Sequence, residues 1–339
     1  MDDAMRRLVE GMPKVELHMH LEGSLEPELL FALARRNGID IGFASEAALR
    51  AAYDFANLQS FLDIYYAGLR VLLDARDFDD MTWSYLRRVR QDNVVHAEVF
   101  LAPQAHLRRG IDARTMFDGV LAAMARAQAE LGMTTGLILV FQRQFSEAEA
   151  FDALRASAPF ADHVVGFGLG GAEVGNRPGK FARVFAECRA QGFKVVAHAG
   201  EEGGADYVAE AVDVLGVDRI DHGVRCEEDP ALVARLAAAR IPLTVCPLSN
   251  LRLRVVDRLE SHNMARLLRA GLNVTMNSDD PSYFGGYMND NYLATQQALG
   301  LTRAEIAEIA RNGVGAAFVD ARRRAELSTM LEDYLAKAG

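Results

Sequence analysis

Histidines and carboxylates at the ends of short apolar runs are the residues of this chain whose types and spacing could do chemistry. His18 and His20 end the first such run, and residues two apart in a β-strand point to the same face, so both imidazoles could bind one metal ion. His198 ends a later run, and Glu201 follows it closely. Nitrogen and oxygen ligands with a position open for water are typical of catalytic zinc, and a nearby glutamate could move that water's proton. Taken singly, these residues fit a hydrogen-bonded histidine pair and a surface glutamate as well.

A histidine and a pair of aspartates end two further runs. His222 follows Ile220-Asp221 and could orient an attacking water, or it could be a buried histidine with a structural role. Asp279 and Asp280 follow the last apolar run and precede Pro281. One aspartate could complete a metal site while its neighbour faces a substrate, although a polar loop before a proline turn also explains the pair.

The apolar runs that carry these residues alternate with helix-like segments. Alternation without hairpin signals predicts a parallel sheet with both faces covered, and eight runs favour a closed (β/α)8 TIM barrel of the α/β class over an open sheet. The predicted strands are Val15–His20, Val94–Leu101, Thr134–Phe141, Val164–Leu169, Lys194–His198, Arg219–His222, Pro242–Cys246 and Leu272–Asn277. The helices between them include Leu25–Arg36, Asp112–Leu131, Lys180–Gln191, Asp206–Leu215, Pro230–Ala239 and His262–Ala270.

The barrel gives the polar clusters a common location. Active sites of TIM barrels lie at the carboxyl ends of the strands, and the four clusters fall at the ends of the first, fifth, sixth and eighth predicted strands. Together they predict a metallohydrolase. The alternative is a metal-binding barrel without catalysis; loss of Glu201 or His222 would indicate it, and both are present.

Two helical regions exceed a minimal barrel, although we expect residues 1–339 to form a single domain. A helical insertion is expected around residues 40–92, where apolar residues from Leu58 to Leu69 recur at helical spacing and could cap the barrel mouth or simply form a core stripe. Helices are also expected over residues 289–337, where Thr302 and Glu305 fit a capping box.

The other histidines carry weaker signals. His96 is expected in the core and His106 at the rim of the pocket, whereas His163 and His262 are expected in structural or exposed positions.

Charge and composition limit the partners. The net charge is −10, from 37 basic and 47 acidic residues, and an acidic surface repels phosphate backbones, so nucleic acid binding is not expected. The sequence has no apolar stretch of ~18 residues, so no membrane span is predicted. Three cysteines without a Cys-x-x-Cys pair argue against a disulfide framework, and we expect a cytoplasmic protein. The sequence leaves the oligomeric state open.

Five ordered motifs carry a resemblance to a known family. They are Pro13-Lys14-Val15-Glu16-Leu17-His18-Met19-His20-Leu21-Glu22-Gly23-Ser24, His198-Ala199-Gly200-Glu201, Asp221-His222-Gly223, Cys246-Pro247-Leu248-Ser249-Asn250 and Asn277-Ser278-Asp279-Asp280-Pro281. From Pro13 to the C-terminal helices, the chain resembles the adenosine/adenine deaminase family of the amidohydrolase superfamily.

The resemblance implies a role for each site residue. The metal ligands would be His18, His20, His198 and Asp279, holding one Zn²⁺ per chain, with other divalent transition metals as alternatives. Glu201 would protonate purine N1, and His222 would orient the hydrolytic water. Asp280 would contact N7, and the backbone of Gly171 would contact N3.

The substrate is implied less sharply than the reaction. Nucleoside deaminases carry Asp where this chain has Glu22, and the longer side chain could intrude into the ribose space, so the resemblance favours adenine as substrate and hypoxanthine and ammonia as products. Similar adenine deaminases carry Asp-Ser-Ser where this chain has Gly170-Gly171-Ala172. That loss of bulk leaves adenosine or N6-substituted adenines as alternatives. Glu22 and Glu173 are expected to bind N9–H or N3 from the sugar side.

Overall fold

The computed structural model describes residues 3–338. Eight parallel strands form one sheet in chain order, which confirms the predicted (β/α)8 TIM barrel. The strands are β1 Lys14–Glu16, β2 Val94–Leu101, β3 Thr134–Gln142, β4 Val164–Gly170, β5 Lys194–Ala199, β6 Arg219–His222, β7 Pro242–Val245 and β8 Asn273–Met276.

The barrel closes where the chain beyond β8 meets the chain beyond β1. The Asp279 N–H donates to the His18 carbonyl at 3.1 Å, and the His20 N–H donates to the Asp279 carbonyl at 2.9 Å. The first strand was predicted as Val15–His20, and this was too long: β1 ends at Glu16, and only isolated bridges continue at Met19 and His20. Closure therefore fixes the two histidines and the aspartate relative to one another.

Helices cover the outside of the barrel. The α-helices are α1 Asp3–Gly11, α2 Pro27–Asn37, α3 Glu46–Ala51, α4 Leu58–Gly68, α5 Ala75–Gln91, α6 Pro103–Leu107, α7 Ala113–Leu131, α8 Glu147–Ser157, α9 Ala182–Ala190, α10 Ala205–Glu210, α11 Pro230–Ala239, α12 Pro247–Arg252, α13 Met264–Arg269, α14 Pro281–Phe284, α15 Met288–Leu299, α16 Arg303–Ala316 and α17 Ala321–Lys337. The helix predicted over Asp206–Leu215 is α10 followed by a π-helical turn. None of the helices between residues 3 and 338 combines the length and apolar character that a bilayer crossing requires.

Burial on both faces explains why the strands are short apolar runs. All eight residues of β2 are buried, as expected for a strand with the barrel interior on one side and helices on the other. Phe100, Ile138, Val140 and Val196 pack together as a separate small core. They support the carboxyl ends of the strands from below.

The segment 40–92 and the C-terminal region 289–337 both contain helices. In the segment 40–92, α4 begins at a capping box in which Asn57 and Ser60 bond each other's backbone. In the C-terminal region, α16 begins at the predicted capping box of Thr302 and Glu305, and it packs against β8 and β1. Assignment of the whole chain to one domain stays a prediction.

Candidate metal and substrate site

Three imidazoles and one carboxylate converge at the carboxyl end of the barrel. His18 Nε2 lies 3.3 Å and His20 Nε2 lies 3.6 Å from Asp279 Oδ1. His198 Nε2 lies 3.1 Å from His20 Nε2. The structure therefore brings together the four residues that the sequence analysis assigned to a metal.

This donor set fits a divalent metal ion. His18 Nε2 is buried without a hydrogen-bond partner, and two imidazole nitrogens at 3.1 Å face each other beside a carboxylate. His18, His198, His222 and Asp279 each offer an atom within 4.8 Å of all the others, and His20 forms a second such group with Asp279 and Asp280. Histidine nitrogen and carboxylate oxygen are the ligands that zinc prefers in catalytic sites.

His222 stands between the metal cluster and the predicted proton donor. Its Nε2 is 3.7 Å from Asp279 Oδ2 and 3.7 Å from Glu201 Oε2. His222 and Asp279 both adopt positive φ, at 62° and 66°, a conformation that costs free energy in residues other than glycine. The surrounding barrel holds both side chains at this point despite that cost.

Asp221 and Thr244 support the imidazoles from behind. Asp221 Oδ2 lies 3.3 Å from His198 Nδ1, and Asp221 Oδ1 accepts the Thr244 hydroxyl at 2.8 Å. The same hydroxyl lies 3.0 Å from His18 Nδ1. Such outer partners fix the tautomer and orientation of metal-binding histidines. The sequence analysis assigned no role to either residue, although a threonine inside the apolar strand β7 was a signal.

Two carboxyl groups of the site are held in environments that favour their neutral form. Burial, and then the charge of Asp279, raises the pKa of Glu201 well above its usual range. The same two causes raise the pKa of Asp280. Burial also works to raise the pKa of Asp279, but the charge of His18 outweighs it and lowers that pKa. One charged carboxylate thus stands between two that can donate protons.

These side chains line a cavity capped by α4. Its wall combines the metal cluster with apolar residues, and the helix supplies most of the apolar side. The lining residues are His20, Leu58, Phe61, Leu62, Tyr65, Tyr66, Ala102, Val140, Gln142, Gly171, His198, Glu201, His222, Leu253, Asp279, Asp280 and Phe284. The apolar pattern of α4 therefore belongs to the cavity as well as to the core.

Asp280 and Gly171 both line this cavity. Asp280 Oδ1 is buried without a partner. It lies so close to Gly23 that a Cβ atom there would be 1.9 Å away, which explains the glycine after Glu22. Gly171 has a φ of 91°, so a side chain at this position would be strained.

Glu22 is completely buried beside the cavity. Its Oε1 accepts the Ala102 N–H at 3.0 Å and lies 3.0 Å from His106 Nε2, while its Oε2 has no partner. His106 was expected at the pocket rim, but it is fully buried because it bonds this carboxylate. Glu22 thus keeps one oxygen for a further donor.

Glu173 is engaged elsewhere, contrary to the expected substrate contact. Its Oε1 accepts the Gly200 N–H at 2.7 Å. Its Oε2 accepts the N–H groups of residues 201–203 at 3.1, 2.7 and 2.9 Å. Four backbone donors therefore occupy the carboxylate, and Glu173 holds the loop that presents Glu201.

His96 and His262 serve the scaffold, whereas His163 is exposed. His96 is buried in the barrel, with Nδ1 at 2.8 Å from Thr134 Oγ1. His262 is buried and lies 3.0 Å from Asn250 Oδ1.

Comparisons with known proteins agree on one family. The family model described as adenosine deaminase matches residues 13–334. An adenine deaminase of Hahella chejuensis is 51% identical over 98% of this chain and 99% of its own length. The crystal structure of adenine deaminase from Arthrobacter aurescens matches with a TM-score of 0.94 at 46% identity, covering 96% of this chain and 99% of that one. An amidohydrolase of Burkhoderia ambifaria with bound Zn matches with a TM-score of 0.91 at 30% identity, covering 99% and 96%.

Proposed function

The chain belongs to the adenosine deaminase family, and from that premise we propose that it hydrolyses adenine to hypoxanthine and ammonia. One observation carries the proposal: a buried cluster of three histidines and Asp279 faces Glu201 and Asp280 across one small cavity. Curated relatives named adenine deaminase, at about half identity over nearly the full chain, supply the substrate class.

The metal would be a single Zn²⁺ held by His18, His20, His198 and Asp279. A bound zinc ion would lower the pKa of a coordinated water and so supply the nucleophile at neutral pH. The same nitrogen and oxygen donors also suit other divalent transition metals. Asp221 orients the His198 ring by pairing with His198 Nδ1. This leaves Nε2 of the ring free to bind the ion.

Glu201 and His222 would manage the protons of the reaction. A neutral Glu201 donates its proton to N1 of adenine, which makes C6 more electrophilic. Water oxygen bonds to C6 while His222 orients that water by accepting a hydrogen bond, and one water proton passes to the Glu201 carboxylate. The C6–N bond of the tetrahedral intermediate then breaks, the amine takes the proton of the new C6 hydroxyl and leaves as ammonia, and C6 becomes a carbonyl. The raised pKa of Glu201 supports this role, because the acid must be protonated when adenine binds.

Asp280 and Gly171 would position the purine ring. N7 of adenine with a proton on N9 is a hydrogen-bond acceptor, so its partner must be a donor. Asp280 meets that need because its pKa is raised by burial and by Asp279, which favours the O–H form. The N–H of Gly171 would donate to N3.

Glu22 would receive the proton-bearing N9 of the free base. Its Oε2 is buried and unpartnered, and a nucleoside lacks the N9–H that this oxygen could accept. A site that pairs a polar group of the substrate rejects an analogue without it, because its own buried group stays unpaired. Glu173 has no such oxygen free and is proposed as a positioning residue.

The deciding experiment is kcat/KM of zinc-loaded protein for adenine, adenosine and N6-isopentenyladenine, followed by the change in ultraviolet absorbance on loss of the 6-amino group. Adenine should exceed adenosine by about two orders of magnitude or more. Comparable turnover of N6-isopentenyladenine would show that the cavity admits N6 substituents. Full metal loading without turnover of any of the three would refute the proposal.

A further inference from the structure

A second cleft adjoins the catalytic cavity. It is lined by Gln59, Leu69, Ala105, Gln144, Phe145 and Ala172, among others, and it shares Leu62, Tyr66 and Gln142 with the cavity. These three side chains are therefore the partition between the two spaces.

Hydrogen bonds fix the partition in place. Gln142 Nε2 donates to the Tyr66 hydroxyl at 2.8 Å, and Gln144 Nε2 donates to the same oxygen at 3.0 Å. Gln142 is only 3% exposed, and its own N–H donates to Gln104 Oε1 at 2.7 Å. The bonds join α4 to the end of β3 and form what we call the tyrosine–glutamine wall: Tyr66, Gln142 and Gln144.

The wall stands beside Gly171, the residue assigned to N3 of the purine. A Cβ atom on Gly171 would lie 2.4 Å from Gln144 Oε1, and Gly171 lines the cavity together with Tyr66 and Gln142. In a purine, N3 and N9 share the edge opposite C6. A base that sets N3 against Gly171 therefore turns its N9 edge toward the side of the cavity that holds the wall.

We propose that the tyrosine–glutamine wall determines specificity by closing the N9 edge of the cavity, so that only purines without an N9 substituent fit. A substituent on N9 would have to pass between Tyr66 and Gln142 to reach the adjoining cleft. A hydrogen and a larger substituent on N9 point in the same direction, so Glu22 and the wall act on the same edge: Glu22 would accept the N9–H, and the wall would block a larger group sterically. This inference rests on the proposed deamination of adenine and names the part of the chain that limits it to free bases.

The first test needs no substitution. Wild-type protein is assayed with adenine and 9-methyladenine, and 9-methyladenine is also tested as a competitive inhibitor of adenine turnover. The inference expects kcat/KM for 9-methyladenine to be lower by about 10²-fold or more, with inhibition only far above the KM for adenine. Equal turnover of the two bases, or tight competitive inhibition by 9-methyladenine, would refute the specificity role of the wall. Neither result would contradict the deamination of adenine. Absence of adenine turnover would instead refute the proposed function.

The second test opens the wall. Gln142→Ala removes one of the three side chains that both spaces share, and the ratio of kcat/KM for 9-methyladenine and adenosine over adenine should rise by about tenfold or more. Gln59→Ala is the matched control, because Gln59 lines only the cleft, and its ratio should stay at the wild-type value. Tyr66→Phe keeps the ring but removes the oxygen that both amides bond, and it should raise the ratio less. An unchanged ratio in Gln142→Ala and Tyr66→Phe, with adenine still deaminated, would overturn the inference.

Discussion

At the amino end of the barrel, Glu98 and Arg219 are completely buried and paired at 2.5 Å. The other oxygen of Glu98 lies 3.3 Å from His96 Nε2 and accepts the Phe318 N–H, and the Arg219 guanidinium lies 3.8 Å from the centre of the Phe318 ring. Burial works to raise the pKa of Glu98, but the charges of Arg219 and His96 outweigh it and lower that pKa. This carboxylate is held charged and has partners on both oxygens.

At the carboxyl end of the barrel, several buried polar atoms lack a hydrogen-bond partner. His18 Nε2, Glu22 Oε2 and Asp280 Oδ1 are buried without hydrogen-bond partners, and the pKa of Glu201 is raised by burial. An unpaired buried polar atom costs about 1–3 kcal/mol, and these three lie together at the carboxyl end of the barrel. The comparison teaches that a buried carboxylate with partners on both oxygens stabilises this barrel, whereas the carboxylates with an unpartnered oxygen, Glu22 and Asp280, lie where a metal and a substrate would bind.

The largest expected effect is at the carboxyl end. Asp279→Ala removes the only carboxylate of the four predicted ligands, so metal content measured by atomic spectroscopy should fall and turnover should drop by more than about 10³-fold, as expected for members of one catalytic unit. Asp257→Ala, at an exposed aspartate, is the control and should retain both. Unchanged metal content in Asp279→Ala would show that another residue supplies the ligand.

Glu201→Gln separates chemistry from metal binding at the same end. The amide has no acidic proton for N1, so kcat should fall by about 10²–10⁴-fold while the metal content stays that of the wild type. Glu202→Gln is the neighbouring control, because the Glu202 carboxylate bonds the Leu58 N–H, at 3.4 Å, and no member of the metal cluster. Near-normal kcat in Glu201→Gln would remove the role assigned to this glutamate.

The amino end should respond in stability alone. Glu98→Ala leaves Arg219 buried without its partner, which should cost about 3–5 kcal/mol in the free energy of unfolding, measured by chemical denaturation of metal-loaded protein. Turnover per folded, metal-loaded molecule should remain that of the wild type. A fall in kcat comparable to that of Glu201→Gln would end the distinction between the two ends of the barrel.

Glu173 lies between these two cases: its carboxylate has partners on both oxygens, but it lies next to the residues proposed to react. Glu173→Gln places an NH₂ group against the backbone donors of residues 200–203, so the loop that carries Glu201 should shift and kcat should fall by about 10–100-fold, as for other outer residues of metal sites. Metal content and the KM for adenine should change little. Glu187→Gln is the matched control, because Glu187 is an exposed residue of α9. Loss of stability with unchanged kcat would make Glu173 purely structural.

Much of the fold and the location of the candidate site could be predicted from the sequence. Strand–helix alternation predicted the eight strands, because runs covered on both faces must be apolar throughout. The convergence of His18, His20, His198 and Asp279 at one rim followed because the strand ends of a parallel barrel meet there; their role as metal ligands stays a prediction.

The directions of side chains in the loops could not be predicted from the sequence. Glu173 lies three residues beyond β4 and was expected to face substrate, but its direction is set by four N–H groups that come from the loop after β5. The pairing of Tyr66 with Gln142 likewise joins α4 to β3. Contacts between distant segments leave no spacing pattern, so only the folded chain shows them.

The smallest expected effect lies away from both ends, at the start of α16. Glu305 accepts the Thr302 N–H at 2.8 Å and pairs with Arg269 at 2.6 Å, and the hydrogen bond from Arg269 lowers its pKa from 4.5 to about 2. Because the folded state favours the charged form, its stabilisation is complete above pH 4.5 and is lost as the pH falls toward 2. Glu305→Gln should cost about 1 kcal/mol near neutral pH, and the difference from wild type should shrink below pH 4.5. Thermal unfolding of both proteins at several pH values measures this difference, with Glu308→Gln on the exposed face of α16 as the control. A difference that stays constant down to low pH would assign the stabilisation to packing of the side chain, because only the charged carboxylate titrates.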